Sequence, residues 1–288
     1  MLSGQSGILP AETSMGPVFL RVGDLDRSLA FYQGLLGLDR LGELEAASML
    51  GAGGRPLVGL IERAGAPPAP RGTSGLYHFA LLLPDRPALG HALAGLLSAS
   101  YQLQGAADHL VSEAVYLADP DGNGIELYAD RPREAWPRIE GEIQMATDPL
   151  EVEGLLAAGA GGSGPLIPAG SVVGHVHLHV GDLAAAEGFY GRLGFALTAR
   201  YGQQAAFYAA GGYHHHLGLN TWAGQGAPPA PKDRAGLERY EIWLPDEAAL
   251  RAAAERLELE VDGDRAEVEE PAGTRVVLRV GRRVGDDG

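Results

Sequence analysis

Short apolar runs of strand length alternate with helix-length segments along most of this 288-residue chain. In the first unit, this pattern predicts a strand at 18–22, a helix over 25–36 with Asp24 as its N-cap, and short strands within 43–62. Gly37 directly follows the helix, where a left-handed residue is needed to end it. The first unit therefore combines a strand, a helix and further strands.

The same order of elements recurs in the second unit. The sequence predicts a strand at 77–83, a helix over 87–99, and a hairpin that joins 115–118 to 124–128. The turn at 119–124 is rich in Asp, Gly and Asn, which favour tight turns. We expect this turn to be structural, with its carboxylates exposed.

The second half of the chain repeats the arrangement after a connection at 131–170, which contains a predicted short helix at 149–158 and a glycine tract. The third unit is predicted as a strand at 172–180, a helix at 183–193, and strands at 195–200, 204–209 and 214–220. The fourth is predicted as a strand at 239–244, a helix at 246–257, and strands near 260, at 266–269 and at 275–280.

Matching segments show that the two halves are a tandem duplication. The pairs are Val22-Gly23-Asp24-Leu25 with Val180-Gly181-Asp182-Leu183, Phe31-Tyr32 with Phe189-Tyr190, and Leu83-Pro84-Asp85 with Leu244-Pro245-Asp246. Leu36-Gly37 answers to Leu193-Gly194, but one residue out of step. We therefore predict an α+β fold of four βαβββ units, with a first repeat at 14–135, a linker with a short helix at 136–170, and a second repeat at 171–282.

The composition of the chain excludes several classes of partner and of metal site. A net charge of −15 argues against nucleic acid and anionic membranes as partners, since both attract clustered Lys and Arg. The absence of cysteine excludes disulfides, thiolate metal sites and a cysteine nucleophile, so any metal must have nitrogen and oxygen ligands. Residues 1–14 lack the features of a signal peptide, and no apolar run reaches membrane-spanning length. We expect a cytoplasmic protein.

The nine histidines are unevenly placed. His91 stands apart in a predicted helix, and the others occupy the second and third units: His78, His109, His175, His177, His179 and the run 214–216. The three at 175, 177 and 179 alternate on one strand and so share a face. Because a buried imidazole needs a hydrogen-bond partner, this clustering in apolar strands indicates a functional site.

The duplication provides an internal test of that interpretation. Aligning the halves places His175 opposite Pro17, His78 opposite Arg239, Glu126 opposite Val277, and His214 and His215 opposite Arg55 and Pro56. Each candidate therefore has a counterpart that cannot serve the same purpose. The duplicated architecture is predicted to hold one working site and one vacant site.

A signature in the second unit suggests a family. His109, Val115-Tyr116, Asp119-Pro120, Gly122 and Glu126 occur in the order typical of extradiol ring-cleaving dioxygenases of the catechol 2,3-dioxygenase kind. With its four βαβββ units, the chain resembles the vicinal-oxygen-chelate superfamily, in which paired units curl into open β-barrels around a metal. Ala107 departs from the signature, which prefers Gly, Asn, Thr, Ile or Val. The layout, including the run 213–216, is particularly similar to a two-repeat bacterial group of these enzymes.

The resemblance implies a metal site. His78, His175 and Glu126 would form the facial triad that holds Fe(II), with Mn(II) or another divalent metal as alternatives. His177, on the same face as His175, is an alternative ligand, and a further alternative is that the histidines at 175, 177 and 179 pack internally. His78 could instead be a hydrogen-bonded core residue, and Glu126 an exposed strand residue.

The resemblance also implies residues that act on the substrate. His109 would be the acid/base, Tyr116 would hydrogen-bond the substrate hydroxyl, and His215 would support bound oxygen. The alternatives are a loop histidine for His109 and a packing tyrosine for Tyr116. His214 and His216 face the other way from His215 on the predicted strand, and either face could point inward.

The implied function is an extradiol dioxygenase of aromatic hydrocarbon catabolism, with a catechol-type small molecule and O2 as its partners; a homo-oligomer is left open. One alternative is a metal-dependent isomerase or lyase of the glyoxalase type, but such sites usually carry an additional carboxylate ligand that the sequence does not offer. The other is a metal-free binding protein like those that sequester bleomycin or fosfomycin. The intact set of two histidines and one glutamate argues against it.

Neither half of the chain contains all three candidate ligands, because His78 and Glu126 lie in unit two and His175 lies in unit three. The triad can form only if these two units share a barrel. The connection at 131–170 is long enough for such a crossing. We therefore predict a working barrel made of units two and three and a vacant barrel made of units one and four. The alternative is a two-ligand site completed by water inside the first half.

Overall fold

A computed structural model describes residues 8–281 of the chain. Residues 1–7, part of the segment used in the signal-peptide argument, lie outside the described residues, as does residue 282, the predicted end of the second repeat. Within residues 8–281, no helix combines the length and the apolar character needed to cross a membrane.

The strands follow the chain in the order β1 (Ser14–Val22), β2 (Asp39–Leu44), β3 (Ala47–Ala52), β4 (Arg55–Glu62), β5 (Gly75–Leu82), β6 (Leu103–Asp108), β7 (Ser112–Ala118), β8 (Gly124–Asp130), β9 (Arg138–Ile139), β10 (Glu142–Ile143), β11 (Val172–His179), β12 (Ala196–Tyr201), β13 (Ala205–Ala209), β14 (Leu217–Asn220), β15 (Gly236–Leu244), β16 (Arg265–Glu269) and β17 (Arg275–Val280). The α-helices are α1 (Leu25–Leu29), α2 (Arg86–Ser98), α3 (Val152–Ala158), α4 (Leu183–Leu193) and α5 (Glu247–Arg256).

Two curled sheets contain most of these strands. One has the order β16-β17-β15-β1-β4-β3-β2 and joins units one and four, and the other has the order β12-β13-β14-β11-β5-β8-β7-β6 and joins units two and three. The crossed pairing of units predicted from the sequence is therefore confirmed. The sheets share one apolar core, to which Leu20 and Leu60 contribute from one side and Phe79 and Leu81 from the other. The predicted α+β fold of curled half-barrels is confirmed.

The repeated aspartates explain where the helices begin. In α1, α2, α4 and α5, an aspartate side chain accepts a hydrogen bond from the backbone N–H three residues further on, and these caps are Asp24, Asp85, Asp182 and Asp246. Such a cap satisfies one of the N–H groups that have no partner within the helix. At the other end, Gly37 and Gly194 have φ values of 79° and 114°, as the sequence predicted for helix-ending glycines.

The helix predicted over 25–36 is not α-helical throughout. After α1 it continues as a π-helix over Ala30–Leu35, and the N–H of Leu36 donates to the carbonyl of Phe31. A π turn holds one residue more than an α turn. It therefore absorbs the extra residue that puts Leu36-Gly37 one step out of register with Leu193-Gly194.

The structure differs from the predicted elements at three places. The strand β6 was missed, and it adds an edge to the second sheet. The strand predicted near 260 is absent from the described structure, where only an isolated bridge joins Asp262 to Arg265, so the fourth unit has one strand fewer than the others. The strand predicted at 214–220 begins only at Leu217, and the histidines 214–216 lie in the irregular segment before it.

The carboxylates of the turn at 119–124 are buried, contrary to the prediction. Asp119 accepts hydrogen bonds from the backbone of Asn123 and from the hydroxyl of Tyr32 at 3.0 Å, while Asp121 pairs with Arg27. Tyr32 and Arg27 belong to the first unit, so these bonds tie the turn of one sheet to the helix of the other. A tight-turn signal carries no information about a partner so distant in the sequence.

Candidate metal centre

The candidate ligands lie on three neighbouring strands of the second sheet. His175 on β11 and Glu126 on β8 both lie opposite Ala80 of β5, and His78 is two residues away from Ala80 on β5. Since side chains two residues apart on a strand share a face, all three ligands point to the same side of the sheet. Ala80 between them has only a methyl group, which leaves space for their side chains to converge.

The three ligand atoms form a compact triangle. Oε2 of Glu126 lies 3.0 Å from Nε2 of His78 and 3.1 Å from Nε2 of His175, and the two Nε2 atoms are 3.3 Å apart. Ligand atoms about 2.1 Å from one ion and at right angles to each other lie about 3.0 Å apart, as on one face of an octahedron. Among the described residues this is the one such group of side chains, and its donors fit a divalent metal.

The surroundings of the triangle keep Glu126 and His175 in the protonation states that bind a metal ion. Burial alone would raise the pKa of the Glu126 carboxyl, but the adjoining imidazoles of His175 and His78 hold that pKa well below its ordinary value. Burial lowers the pKa of His175 to about 4, although Glu126 opposes this shift. At neutral pH the site therefore offers a carboxylate and a neutral His175, the forms in which these side chains bind metal ions.

Gly174, immediately before His175, has a steric reason to be glycine. A Cβ at this position would lie 1.7 Å from the hydroxyl oxygen of Tyr128. The Tyr128 ring packs on His175 with the ring centroids 5.0 Å apart, and its hydroxyl pairs with that of Tyr213 at 2.8 Å. Tyr128 therefore packs against the ring of His175 and limits its orientation.

A cavity of about 330 Å³ opens over the triangle. Its walls include His78, Glu126, His109, Tyr116, His177, His215 and the aromatic residues Tyr77, Phe207 and Trp222. Tyr77 and Trp222 are about two-fifths exposed, and their ring centroids are 5.4 Å apart. A cavity of this size and lining suits a small aromatic molecule.

His109 and Tyr116 form a hydrogen-bonded couple in the cavity wall. Tyr116 lies directly opposite Glu126 on the neighbouring strand, and its hydroxyl lies 2.6 Å from Nε2 of His109. Nδ1 of His109 lies 2.6 Å from the carbonyl oxygen of Ala146, which can only accept. Nδ1 therefore carries the proton, and Nε2 accepts the hydrogen of Tyr116. Burial and the charge of Glu126 raise the pKa of Tyr116, so it stays a neutral phenol.

The three histidine rings of the run 214–216 lie in different surroundings. His215 lines the cavity and stacks on His175 with the ring centroids 4.1 Å apart. His214 is fully buried and bonds to Asp130 at 2.9 Å, and Nδ1 of His216 accepts from the backbone N–H of Ala210. Burial lowers the pKa of His215 well below its ordinary value, so the ring is neutral.

His177, the alternative ligand, lies in the cavity wall but outside the triangle. It is opposite His78 in the pairing of β11 with β5, with the ring centroids 4.9 Å apart. Its Nε2 accepts a hydrogen bond from the side chain of Asn220 at 2.9 Å. His91, by contrast, lies on α2 beside the carbonyl of Gly164 and away from the cavity.

Some wall residues were not singled out from the sequence. Ala146, which orients His109, belongs to the predicted linker, and that linker is anchored by Trp136 and Ile143, which pack with Val111 and Tyr213. A backbone carbonyl has no signature in a sequence. Asn220 had a weak signal, a polar residue at the end of the apolar run 217–219.

The first sheet has no equivalent site. In the pairing of β1 with β15, Arg239 lies opposite Phe19, in the register that places His78 opposite His177 in the second sheet. The guanidinium of Arg239 lies 3.6 Å from the centre of the Phe19 ring and bonds to Glu45 at 3.0 Å. A cation therefore occupies the position where the second sheet has the candidate ligand His78.

Comparison with known proteins agrees with this architecture. The chain is similar to catechol-2,3-dioxygenase of Bacillus subtilis (strain 168), with 46% identity over 251 residues that cover 85% of this chain and 88% of that protein. A solved structure from Bacillus subtilis subsp. subtilis str. 168, provisionally described as a dioxygenase, superposes with a TM-score of 0.62 at 14% identity and covers 93% of this chain and 84% of its own. Glyoxalase I from Zea mays superposes with a TM-score of 0.55 at 21% identity, over 93% of this chain and 92% of its own.

The two structural matches have low identity and show a common fold alone. The family model described as the Glyoxalase/Bleomycin resistance protein/Dioxygenase superfamily matches residues 14–127 and 172–277. These two segments make up most of the chain and correspond to its two halves. The chain therefore belongs to the glyoxalase/bleomycin resistance protein/dioxygenase superfamily.

Proposed function

We propose that the protein is an extradiol ring-cleaving dioxygenase, which opens a catechol-type aromatic diol with O2. The observation that carries this proposal is the convergence of Nε2 of His78, Nε2 of His175 and Oε2 of Glu126 within 3.3 Å of one another under an aromatic-lined cavity. A relative that is 46% identical and named catechol-2,3-dioxygenase supports the same reaction.

We expect Fe(II) at the triad, and Mn(II) or another divalent metal is the alternative, because a donor set of nitrogen and oxygen accepts several first-row ions. When bound, the ion would hold the two diol oxygens and O2 beside one another and offset their negative charge. The protein supplies the three ligands, and among the described residues no second carboxylate joins the triangle as a fourth ligand.

His109 and Tyr116 handle the substrate proton. Since the hydrogen of Tyr116 is directed to Nε2 of His109, the phenol oxygen has lone pairs that can accept a hydrogen bond from a diol hydroxyl in the cavity. As that hydroxyl loses its proton, Tyr116 can pass its own proton to His109. The imidazolium that results is stabilised at Nδ1 by the carbonyl of Ala146 and can later return the proton.

His215 contributes a neutral ring on the other side of the site. Its stacking on His175 places it beside a ligand and within the cavity. A neutral imidazole there could hydrogen-bond to O2 in the cavity without adding a positive charge beside the residues that would hold the metal. The net charge of −15 makes nucleic acid and anionic membranes unfavourable partners, and we propose a cytoplasmic enzyme of aromatic hydrocarbon catabolism.

One experiment separates this proposal from its alternatives. The full-length protein is loaded with Fe(II) without oxygen, mixed with catechol and exposed to air, while absorbance and dissolved O2 are recorded. We expect a yellow ring-fission product and one O2 consumed for each ring opened. Conversion of a glyoxalase substrate without O2 uptake would support an isomerase instead, and binding without turnover would support a sequestering protein. Glu126→Gln is the inactive control.

A further inference from the structure

The buried amide of Asn220 fixes the proton of His177. Oδ1 of Asn220 accepts the backbone N–H of Trp222 at 3.0 Å, and it lies 2.7 Å from Nδ1 of His179. A backbone N–H can only donate, so this atom is the oxygen and the other end of the amide is the NH2 group. That NH2 group faces Nε2 of His177 at 2.9 Å. Nε2 of His177 therefore carries no proton.

A neutral imidazole with an unprotonated Nε2 carries its proton on Nδ1. The described residues offer Nδ1 of His177 no acceptor, and this atom is not among the fully buried polar atoms without a partner. The ring lines the cavity, between His78 on the metal side and Trp222 at the mouth. Its N–H group is therefore available to a molecule in the cavity.

The equivalent position in the first sheet shows that packing at this place does not require a histidine ring. His177 lies opposite Gly218 and packs against it, since a Cβ on Gly218 would lie 2.7 Å from the ring. In the other sheet, Phe19 packs in the same way against Gly59. A phenyl ring therefore fills the equivalent space where no site exists.

The partner of His177 differs between the halves in the same way. Asn220 lies two residues after Gly218, and the residue two positions after Gly59 is Ile61, which packs with Phe19 in an apolar cluster. The vacant barrel thus has an apolar pair where the working barrel has a histidine and the amide that orients it. Both polar residues occur only in the sheet that holds the triad.

We propose that His177 is a fixed hydrogen-bond donor that recognises an acceptor oxygen of the aromatic ligand held over the triad, and that Asn220 is the residue that positions its proton. The inference rests on the proposed function for the class of ligand. A neutral donor at this place would favour a diol whose oxygen is deprotonated or carries a negative charge, because a hydrogen bond to a charged acceptor is stronger than one to a neutral acceptor.

The first test needs neither metal nor turnover. In the metal-free full-length protein labelled with 15N-histidine, long-range 1H–15N spectra report which imidazole nitrogen carries the proton, and His177→Phe identifies the signals by their loss. We expect the Nδ1–H form for His177. A proton on Nε2, or on both nitrogens, at pH 7 would overturn the inference.

The second test measures ligand binding. Fe(II)-loaded protein is titrated with 4-nitrocatechol without oxygen, so that no ring opening occurs. We expect His177→Phe to weaken binding about tenfold, which corresponds to one lost hydrogen bond, and to leave Fe(II) affinity within about twofold. Unchanged 4-nitrocatechol affinity would overturn the inference, and so would a large loss of Fe(II), which would make His177 a ligand.

His179→Phe is the matched control. His179 bonds to the same Asn220 and packs on Tyr77, but it lines the adjoining cavity and not the one over the triad. We expect its 4-nitrocatechol affinity to match that of the wild type. A loss equal to that of His177→Phe would attribute the effect to the packing around Asn220 and overturn the inference. Ring opening is not measured in this titration, so a failure of the wild type to consume O2 would overturn the proposed function alone.

Discussion

Nε2 of His78 and Nε2 of His175 lie 3.3 Å apart, although 97 residues separate these histidines in the chain. Their strands, β5 and β11, are antiparallel neighbours at the centre of the second sheet. Each half of the duplication therefore supplies part of one site. Units one and four pair in the same way and form the other sheet, which is the predicted vacant barrel.

This pairing predicts one tightly held metal ion per chain. The first sheet places Pro17, Arg239 and Val277 where the second has the candidate ligands, and the guanidinium of Arg239 lies over the ring of Phe19. A cation at that position repels a metal ion. Elemental analysis of Fe(II)-reconstituted protein after desalting should give a ratio near one. A ratio near two would contradict the assignment of a vacant barrel.

Glu126→Gln should weaken metal binding by about 100-fold or more, because changes that only touch the residues behind a ligand already cost 10–100-fold. His78→Ala should have a similar effect. The matched control is Glu241→Gln, since Glu241 is a buried glutamate of the vacant barrel that accepts from Nε1 of Trp243 at 2.8 Å. Competition with a fluorescent chelator measures the affinities. Equal losses in Glu126→Gln and Glu241→Gln would argue against Glu126 as a ligand.

Two glycine substitutions should change stability in opposite directions. A Cβ on Gly90 of α2 would lie 2.1 Å from the carbonyl oxygen of Leu155 on α3, and backbone atoms cannot move aside cheaply. Gly90→Ala should therefore destabilise the protein by about 1–3 kcal/mol. A Cβ on Gly188 of α4 meets nothing within 4 Å, so Gly188→Ala should stabilise it by about 0.5–1 kcal/mol.

Thermal unfolding of the metal-free forms measures both changes. Neither substitution touches the triad, so metal affinity should stay at the wild-type value in both variants. A rise in melting temperature for Gly90→Ala would mean that α2 and α3 do not approach each other through this glycine.

Buried His216 should make the metal-free protein less stable as the pH falls. Burial lowers the pKa of His216 to about 3, whereas in the unfolded chain it is about 6.5. Between these values the unfolded state binds more protons than the folded state, so this contribution is present above pH 6.5 and is lost as the pH falls toward 3.

His216→Asn should remove this contribution, because the amide oxygen can accept the N–H of Ala210 without titrating. Between pH 6.5 and 5 the wild type should lose about 1.6 kcal/mol more than the variant, because the slope rises from half of 1.36 kcal/mol per pH unit at pH 6.5 to nearly the full value at pH 5. Urea unfolding at the two pH values measures the difference. Identical losses would place the proton uptake elsewhere in the molecule.

The large-scale features of the molecule could be predicted from the sequence because the duplication compares the chain with itself. Matching segments located the two halves, and the recurring order of strands and helices divided each half into two units. The unequal distribution of His78, Glu126 and His175 required the halves to cross. The one-residue shift at Leu36 and Gly37 was also visible, but its structural form, a π turn, depends on hydrogen bonds that no periodicity specifies.

The remaining features depend on contacts between distant residues. Asp119 and Asp121 were predicted to be exposed turn residues, but in the structure Tyr32 and Arg27 of another unit pair with them. The carbonyl of Ala146 gives His109 its orientation, and any residue could supply such a carbonyl. The roles proposed for His109, Tyr116 and His215 remain predictions, and the following substitutions test those of His109 and Tyr116.

His109→Ala should retain metal but lose turnover. The side chain is not part of the ligand triangle, so Fe(II) affinity should stay within about twofold, while kcat should fall by about 100-fold or more, the usual cost of removing a general acid/base. His91→Ala, which changes a histidine away from the cavity, is the control and should match the wild type. Loss of metal in His109→Ala would make His109 a ligand and not an acid/base.

Tyr116→Phe tests whether the two residues act as a couple. If Tyr116 works by passing a proton to His109, then the double variant should be no slower than His109→Ala alone, because the second substitution removes a group whose acceptor is already gone. Stopped-flow measurement of kcat for the wild type, the two single variants and the double variant completes the cycle. Losses that simply multiply would show that Tyr116 contacts the substrate independently of His109.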